Sequence, residues 1–248
     1  MNRNHTSHKI IEEASLNAWP CLKQILYDGW ILRFANGYTR RANSINPIYK
    51  GIGDTLEKIR YCEQIYQDAQ QRAVFKITPF VHPTNLDNLL DQAGYQKNAP
   101  TSVQILDLMD LDIQSTTVVE QWSHPTEKWI EHYTRMNQVP PENVPTLQAI
   151  LQNIAPVANF TTLLCQGRVV SCGLGVLDNQ HIGLFDIVTD PAYRSRGFGT
   201  HLVLNILNWA KQQGAKKAYL QVMLKNEPAL NLYAKLGFKE IYQYWYRV

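Results

Sequence analysis

The sequence has little of what marks several large protein classes. Only four cysteines occur in 248 residues, Cys21, Cys62, Cys165 and Cys172, and no Cys-x-x-Cys pair is among them. This argues against a disulfide scaffold or a structural zinc site. It leaves the cysteines as small apolar residues in a reducing, cytoplasmic setting, with no metal expected. No apolar run reaches the length of a membrane-spanning helix, and the polar stretch Met1 to Ile10 lacks the apolar core of a secretion signal. Twenty-four Lys and Arg against 21 Asp and Glu give a net charge of +3, too small an excess for the basic stripe of a nucleic-acid binder. No Gly-Lys-Ser/Thr tripeptide is present, so a Walker-type phosphate loop is absent. The expected partner is a small molecule or peptide, with no nucleic acid and no membrane.

What is present is a globular composition, 45% apolar and 18% charged. The length allows one large domain or two small ones. Strand and helix signals alternate. Trp30 to Ala35 and Thr39 to Ile48 read as strands joined at Asn36-Gly37, a hairpin signal. Asp54-Thr-Leu-Glu57 has capping-box spacing, and Leu56, Ile59, Cys62, Ile65, Tyr66 and Ala69 then fall on one helical face. Asp110 to Thr117 is the best linker candidate.

The order helix, strand, short helix, Gly-aromatic, strand occurs twice. It runs as Thr55–Gln71, Val74–Thr78, Pro83–Ala93, Gly94-Tyr95 and Val103–Leu108, and again as Thr200–Gln213, Ala218–Met223, Pro228–Leu236, Gly237-Phe238 and Ile241–Val248. A period near half the chain means duplication, and the interleaving means an α/β or α+β sheet protein.

The most informative segment is Leu184 to Gly199. A strand enters a loop, Arg194-Ser195-Arg196-Gly197-Phe198-Gly199, which opens onto a helix at Thr200. Glycines let the backbone approach an anion closely, and the positive end of a helix dipole attracts one. Arg194 and Arg196 add forked donors. The prediction is a pyrophosphate cradle, distinct from the dinucleotide fingerprint, because Leu202 stands where that motif needs a third small residue.

This loop resembles the Arg/Gln-x-x-Gly-x-Gly/Ala loop of the GNAT acyl-CoA-dependent N-acetyltransferases. The stretch from Asn226 through Tyr233 to Gly237-Phe238 resembles that family's second signature, and the two together cover Val118 to Val248. The resemblance implies a mixed, mostly antiparallel central sheet flanked by helices. It also implies acetyl-CoA as cosubstrate and acetyl transfer to a primary amine, on a monomer or homodimer. Ile187, Val188 and Thr189 would pair with the pantetheine arm, and the amides of Arg194 to Thr200 would hold the pyrophosphate. Asn226 would bond the arm, a backbone N–H near Val188 to Thr189 would support the oxyanion, and Tyr233 would protonate the thiolate. Asp186 and His181 are the two candidates for the base. A non-catalytic acyl-CoA sensor is the alternative.

On this reading residues 1–112 form a degenerate copy and residues 116–248 the catalytic domain. Gly51-Ile52-Gly53 reads as a relic of the loop, but Ile48 stands where an arginine is needed and Leu90 where the tyrosine is needed. One cofactor site per chain is expected. The first half keeps Arg33, Arg41 and Asn43, with Arg41 and Asn43 on one face of the expected strand. They are candidates for an acceptor pocket between the halves; the competing reading makes them structural.

Overall fold

The computed structural model describes residues 3–109 and 117–248, so nearly all of the Asp110–Thr117 linker candidate lies outside the described residues. Helix α1 (Arg3–Ala18) precedes a hairpin of β1 (Lys23–Tyr27) and β2 (Trp30–Phe34). Then come β3 (Ile45–Asn46), α2 (Thr55–Asp68), β4 (Phe75–Ile77), α3 (Leu86–Gln92) and β5 (Lys97–Asp107). The second half contributes β6 (Val119–Trp122), α4 (Glu127–Asn137), α5 (Val144–Gln152), β7 (Val157–Cys165) and β8 (Arg168–Asp178). It continues with β9 (His181–Thr189), α6 (Phe198–Gln212), β10 (Lys217–Met223), α7 (Glu227–Lys235) and β11 (Lys239–Arg247). Among the described residues, no helix is long and apolar enough to cross a membrane.

Among the described residues, eleven strands form one sheet, in the order β1-β2-β3-β4-β11-β5-β10-β9-β8-β7-β6. The pairs are antiparallel except β3 with β4 and β9 with β10. The two final strands are exchanged. β11 ends the chain yet lies between β4 and β5, and β5 lies between β11 and β10. Each half thus lends its last strand to the other, which carries the sheet across the middle of the molecule without an exposed edge. Side chains lock the exchange: Arg247 of β11 bonds Asp87 (2.7 Å) and Asp91 on α3, and the Trp245 indole donates to Asp87. Tyr242 donates to the buried Glu12 of α1 (2.6 Å), which also holds Lys76 of β4. A chain ending at Leu236 leaves β4 and β5 without their shared neighbour. We expect it to lose cooperative thermal unfolding altogether, and a retained sharp transition would show β11 to be dispensable.

Asp54 caps α2 as its spacing predicts, accepting from the amides of Leu56 and Glu57. The expected hairpin at Asn36-Gly37 is corrected. The tight hairpin turn is Asp28-Gly29, both residues with positive φ, where Tyr27 faces Trp30. The expected strand Thr39–Ile48 shrinks to Ile45–Asn46, and the cause is the Asn43 side chain. Its carbonyl accepts from the amides of Ala35 and Gly37, and its NH2 donates to the carbonyls of Tyr38 and Thr39. A buried Asn that satisfies five neighbouring backbone groups folds the segment into a loop instead of a ladder.

Candidate active site

The site begins with a bulge. Leu174 faces Phe185 and Cys172 faces Val188, so on β8 Gly173 alone stands opposite both Asp186 and Ile187. Asp186 takes φ 53, a conformation that costs a non-glycine residue energy and bends its strand. Gly173 permits this, because a Cβ there would lie 2.5 Å from the Ile187 side chain. Beyond the bulge the sheet opens. Parallel pairing of β9 with β10 runs from His181–Lys217 to Leu184–Leu220 and stops, while β10 stays paired with β5 as far as Met223. Asp190 N–H bonds Val170 O across to β8. By antiparallel alternation, the backbone groups of Ile187 and Thr189 therefore point to the open side.

That gap leads to the start of α6. Ser195 and Gly197 have φ of 61° and 83°, and Gly197 is an N-cap that offers no side-chain hydrogen bond. Among the described residues, no backbone N–H from Ser195 to Thr200 has an acceptor. A row of open amides at a helix N-terminus is an anion site. Gly199 keeps it open, since a Cβ there would come within 3.1 Å of Leu232 and 3.4 Å of Thr189. Arg194 is exposed and braces the loop by donating from Nε to Thr189 O, while the Arg196 guanidinium lies over the Tyr193 ring. These residues fit the diphosphate of a coenzyme A.

The matching stretch of the first half is already filled. Asp28 accepts from the amides of Ile52 and Gly53 and from the Lys58 ammonium (2.8 Å). The Lys58 bond and these amides hold its carboxyl at about 2. A Cβ on Gly51 would lie 2.3 Å from that carboxylate. The helix behind it is capped by Asp54, where α6 has a bare glycine. Two internal carboxylates therefore occupy the amides that an external anion would need.

Between the open strand edge and α7 lies a cavity of about 470 Å³, lined from both halves of the chain. Asn226 caps α7 through its carbonyl, which accepts from Ala229 N–H; its amide NH2 has no partner among the described residues. Tyr233 presents its hydroxyl here without a hydrogen bond among the described residues, its ring set edge-on to Phe238. Burial alone pushes the Tyr233 phenol up to about 12. Asp186 is the cavity's one carboxylate. Burial pushes it from 3.8 up to about 6, offset in part by the Arg41 charge and the Tyr133 hydroxyl, and its Oδ2 is buried without a partner.

Arg41 also lines this cavity, carried in by the Asn43-centred loop, whereas Arg33 and Asn43 do not. Arg33 is buried, donating to the carbonyls of Arg41, Leu16 and Trp19, which satisfies the C-terminal end of α1. Arg41 and Asn43 do not share a strand face, because the segment is a loop. His181 stands at the far end of β9, five residues from Asp186 or roughly 16 Å at the usual strand rise, beside Asp178 and Lys217. It is not brought to Tyr233. The sequence reading missed the aromatic walls. Tyr244 and Tyr246 line the cavity with Trp19, Tyr38 and Tyr133. Their only signal in the sequence was their number, because their meeting depends on the strand exchange.

The family model "Probable histone acetyltransferase Rv0428c C-terminal" matches residues 6–247. The chain is 28% identical over 244 residues to the uncharacterized N-acetyltransferase YobR of Bacillus subtilis, covering 96% of this chain and 97% of that protein. Its fold is similar to a GCN5-related N-acetyltransferase from Kribbella flavida, with TM-score 0.71, 14% identity and coverage of 96% and 93%. It is also similar to a tandem GNAT protein from the clavulanic acid biosynthesis pathway, with TM-score 0.61, 11% identity and coverage of 77% and 68%.

Proposed function

This chain belongs to the GNAT N-acetyltransferase family, and from that premise we propose that it moves an acetyl group from acetyl-CoA to a primary amine. On this reading residues 116–248 carry the chemistry and residues 1–112 are a degenerate copy that supplies one wall of the acceptor site. The observation that carries the proposal is the meeting of three features. The open edge of Ile187 to Thr189 leads to the uncapped amides of α6, and one cavity beside them holds both Asp186 and Tyr233.

Acetyl-CoA supplies the activated thioester; the chain supplies everything else. The amides of Ser195 to Thr200, with Arg194 and Arg196, hold the diphosphate, and the Asn226 NH2 bonds the pantetheine arm alongside Ile187 to Thr189. An amine reaching the thioester must be neutral at nitrogen. Asp186 takes its proton, and a carboxyl raised to about 6 is better matched to that task than an ordinary one. The nitrogen attacks the carbonyl carbon while an open backbone N–H of Ile187 to Thr189 steadies the charge on oxygen. As the C–S bond breaks, Tyr233 would give its proton to the departing sulfur, and the nitrogen's surplus proton would return to the Tyr233 oxygen.

A thiol-release assay across an amine panel, with acetyl-CoA binding measured in parallel, tests the proposal. Acceptor-dependent thiol release supports it; tight binding without release makes the protein a sensor. Calorimetry should find one coenzyme per chain. Gly197→Ala forces an L-residue into a left-handed conformation, a strain of about 1–2 kcal/mol. We expect it to raise the acetyl-CoA Kd by about tenfold as the amides turn away. An unchanged Kd would remove the loop from the site.

A further inference from the structure

One end of the cavity contains two half-buried charged side chains that make no ion pair with each other. The Arg41 guanidinium lies 5.6 Å from the Trp19 ring centroid and 5.4 Å from that of Phe185, an arrangement that holds a cation by its faces. It makes no hydrogen bond or ion pair among the described residues, and its Nε is buried with no partner. Asp186, next in sequence to Phe185, likewise has a buried, unpartnered Oδ2. Desolvating a guanidinium and a carboxylate separately is costly, and direct contact between them would recover part of that cost. Here they face the same cavity without touching, so a ligand that brings one charge of each sign satisfies both.

The remaining lining narrows the choice. Its charged side chains are Arg40, Arg41 and Asp186, two positive and one negative. A polyamine or aminoglycoside would place several ammonium groups against a single carboxylate beside two arginines, which Coulomb repulsion opposes. The other walls combine the rings of Trp19, Tyr38, Phe185, Tyr133, Tyr244 and Tyr246 with aliphatic side chains and the polar Thr39, Thr101, Asn137 and Gln221. Aromatic walls reward an apolar or aromatic side chain. The cavity must also admit the thioester end of the coenzyme, so the acceptor is small.

We propose that the acceptor is a free α-amino acid with an apolar or aromatic side chain, its amine set against Asp186 and its carboxylate bound by Arg41. This rests on the acetyl-transfer reading above. Arg41 is then a specificity residue. It comes from the first half of the chain, which gives that half a role in choosing the substrate even though its own anion loop is closed by Asp28.

The test compares acceptors that differ only in the carboxylate: phenylalanine, its amide and phenethylamine, then leucine and isoamylamine, with spermidine and kanamycin as polycationic probes. For wild-type protein we expect kcat/KM for the amino acids to exceed that of the decarboxylated amines by about 10–100-fold, the usual worth of a hydrogen-bonded charge. Arg41→Gln should collapse that ratio toward one, mainly through KM for the amino acid. The wild-type ratio decides the matter if the variant fails to fold. Equal or better use of the decarboxylated amines, the amide or the polycations overturns the inference while leaving acetyl transfer standing. Acetyl-CoA binding without thiol release for any probe overturns both.

Discussion

Tyr233→Phe should lower kcat by about 10²–10³-fold, the range of a lost general acid, and leave the acetyl-CoA Kd within about twofold. The substitution removes one oxygen that bonds to nothing in the protein among the described residues, while the ring keeps its contact with Phe238. Because burial pushes the phenol up to about 12, it remains protonated throughout the working range and contributes no limb to the pH profile near neutrality. A phenol at about 12 is a weaker acid than a thiol, so its proton passes to the sulfur only in concert with C–S cleavage and with a proton from the amide nitrogen returning to the phenol oxygen. The measurement is a kcat and Kd pair for the two proteins. Equal losses in both would make the tyrosine a structural residue, and an unchanged kcat would place the acid elsewhere.

Asp186→Asn has two expected consequences of opposite sign. Activity should fall by about 10²–10⁴-fold in kcat/KM, and the acid limb near pH 6 should disappear from the profile. Stability should move the other way. Burial, the leading cause, raises this carboxyl from 3.8 to about 6 in the folded protein, so folding is favoured by the protonated form. The contribution is fully present below pH 3.8 and is lost as pH rises through about 6. Above that, ionised Asp186 costs up to about 3 kcal/mol, a net figure that already includes the favourable charge of Arg41. Asparagine cannot ionise. Its Tm advantage over wild type should therefore grow between pH 4 and 7 and be absent at the acid end. An advantage that shrinks with rising pH would mean that Arg41 and Asp186 stabilise one another directly. Asp28 shows the opposite and commoner behaviour: held at about 2 by Lys58 and two amides, it favours folding above its ordinary range and loses that contribution as pH falls.

The contrast between these two aspartates separates a site from a scaffold. Asp28 has every charge answered by a neighbour, and its work is to close an anion nest. Asp186 is strained at φ 53 and half-buried, with one buried oxygen left unanswered. Strain and unmet polarity of this kind persist only where the surrounding structure holds them, and they collect at working sites.

Local chemistry was legible before any coordinates. Asp54 specifies its cap because side chain and amides lie within one turn. Arg194 to Gly199 specify a loop of open amides because the glycines and the helix start are adjacent in the chain. The helix–strand succession and the mixed sheet follow from periodicities that each segment carries by itself. Local signals failed where a side chain overrode propensity, as when Asn43 turned an expected strand into a loop. The shared cavity was beyond reach for a different reason. Arg41, Asp186, Tyr233 and Tyr244 are separated by up to 203 residues, and no periodicity links them. They meet because β5 and β11 trade places between the halves and because the bulge at Asp186 parts β9 from β10. Backbone hydrogen bonding over a few residues sets motifs; the pairing of distant strands sets which motifs share a cavity, and that pairing is settled only by the energy of the whole sheet.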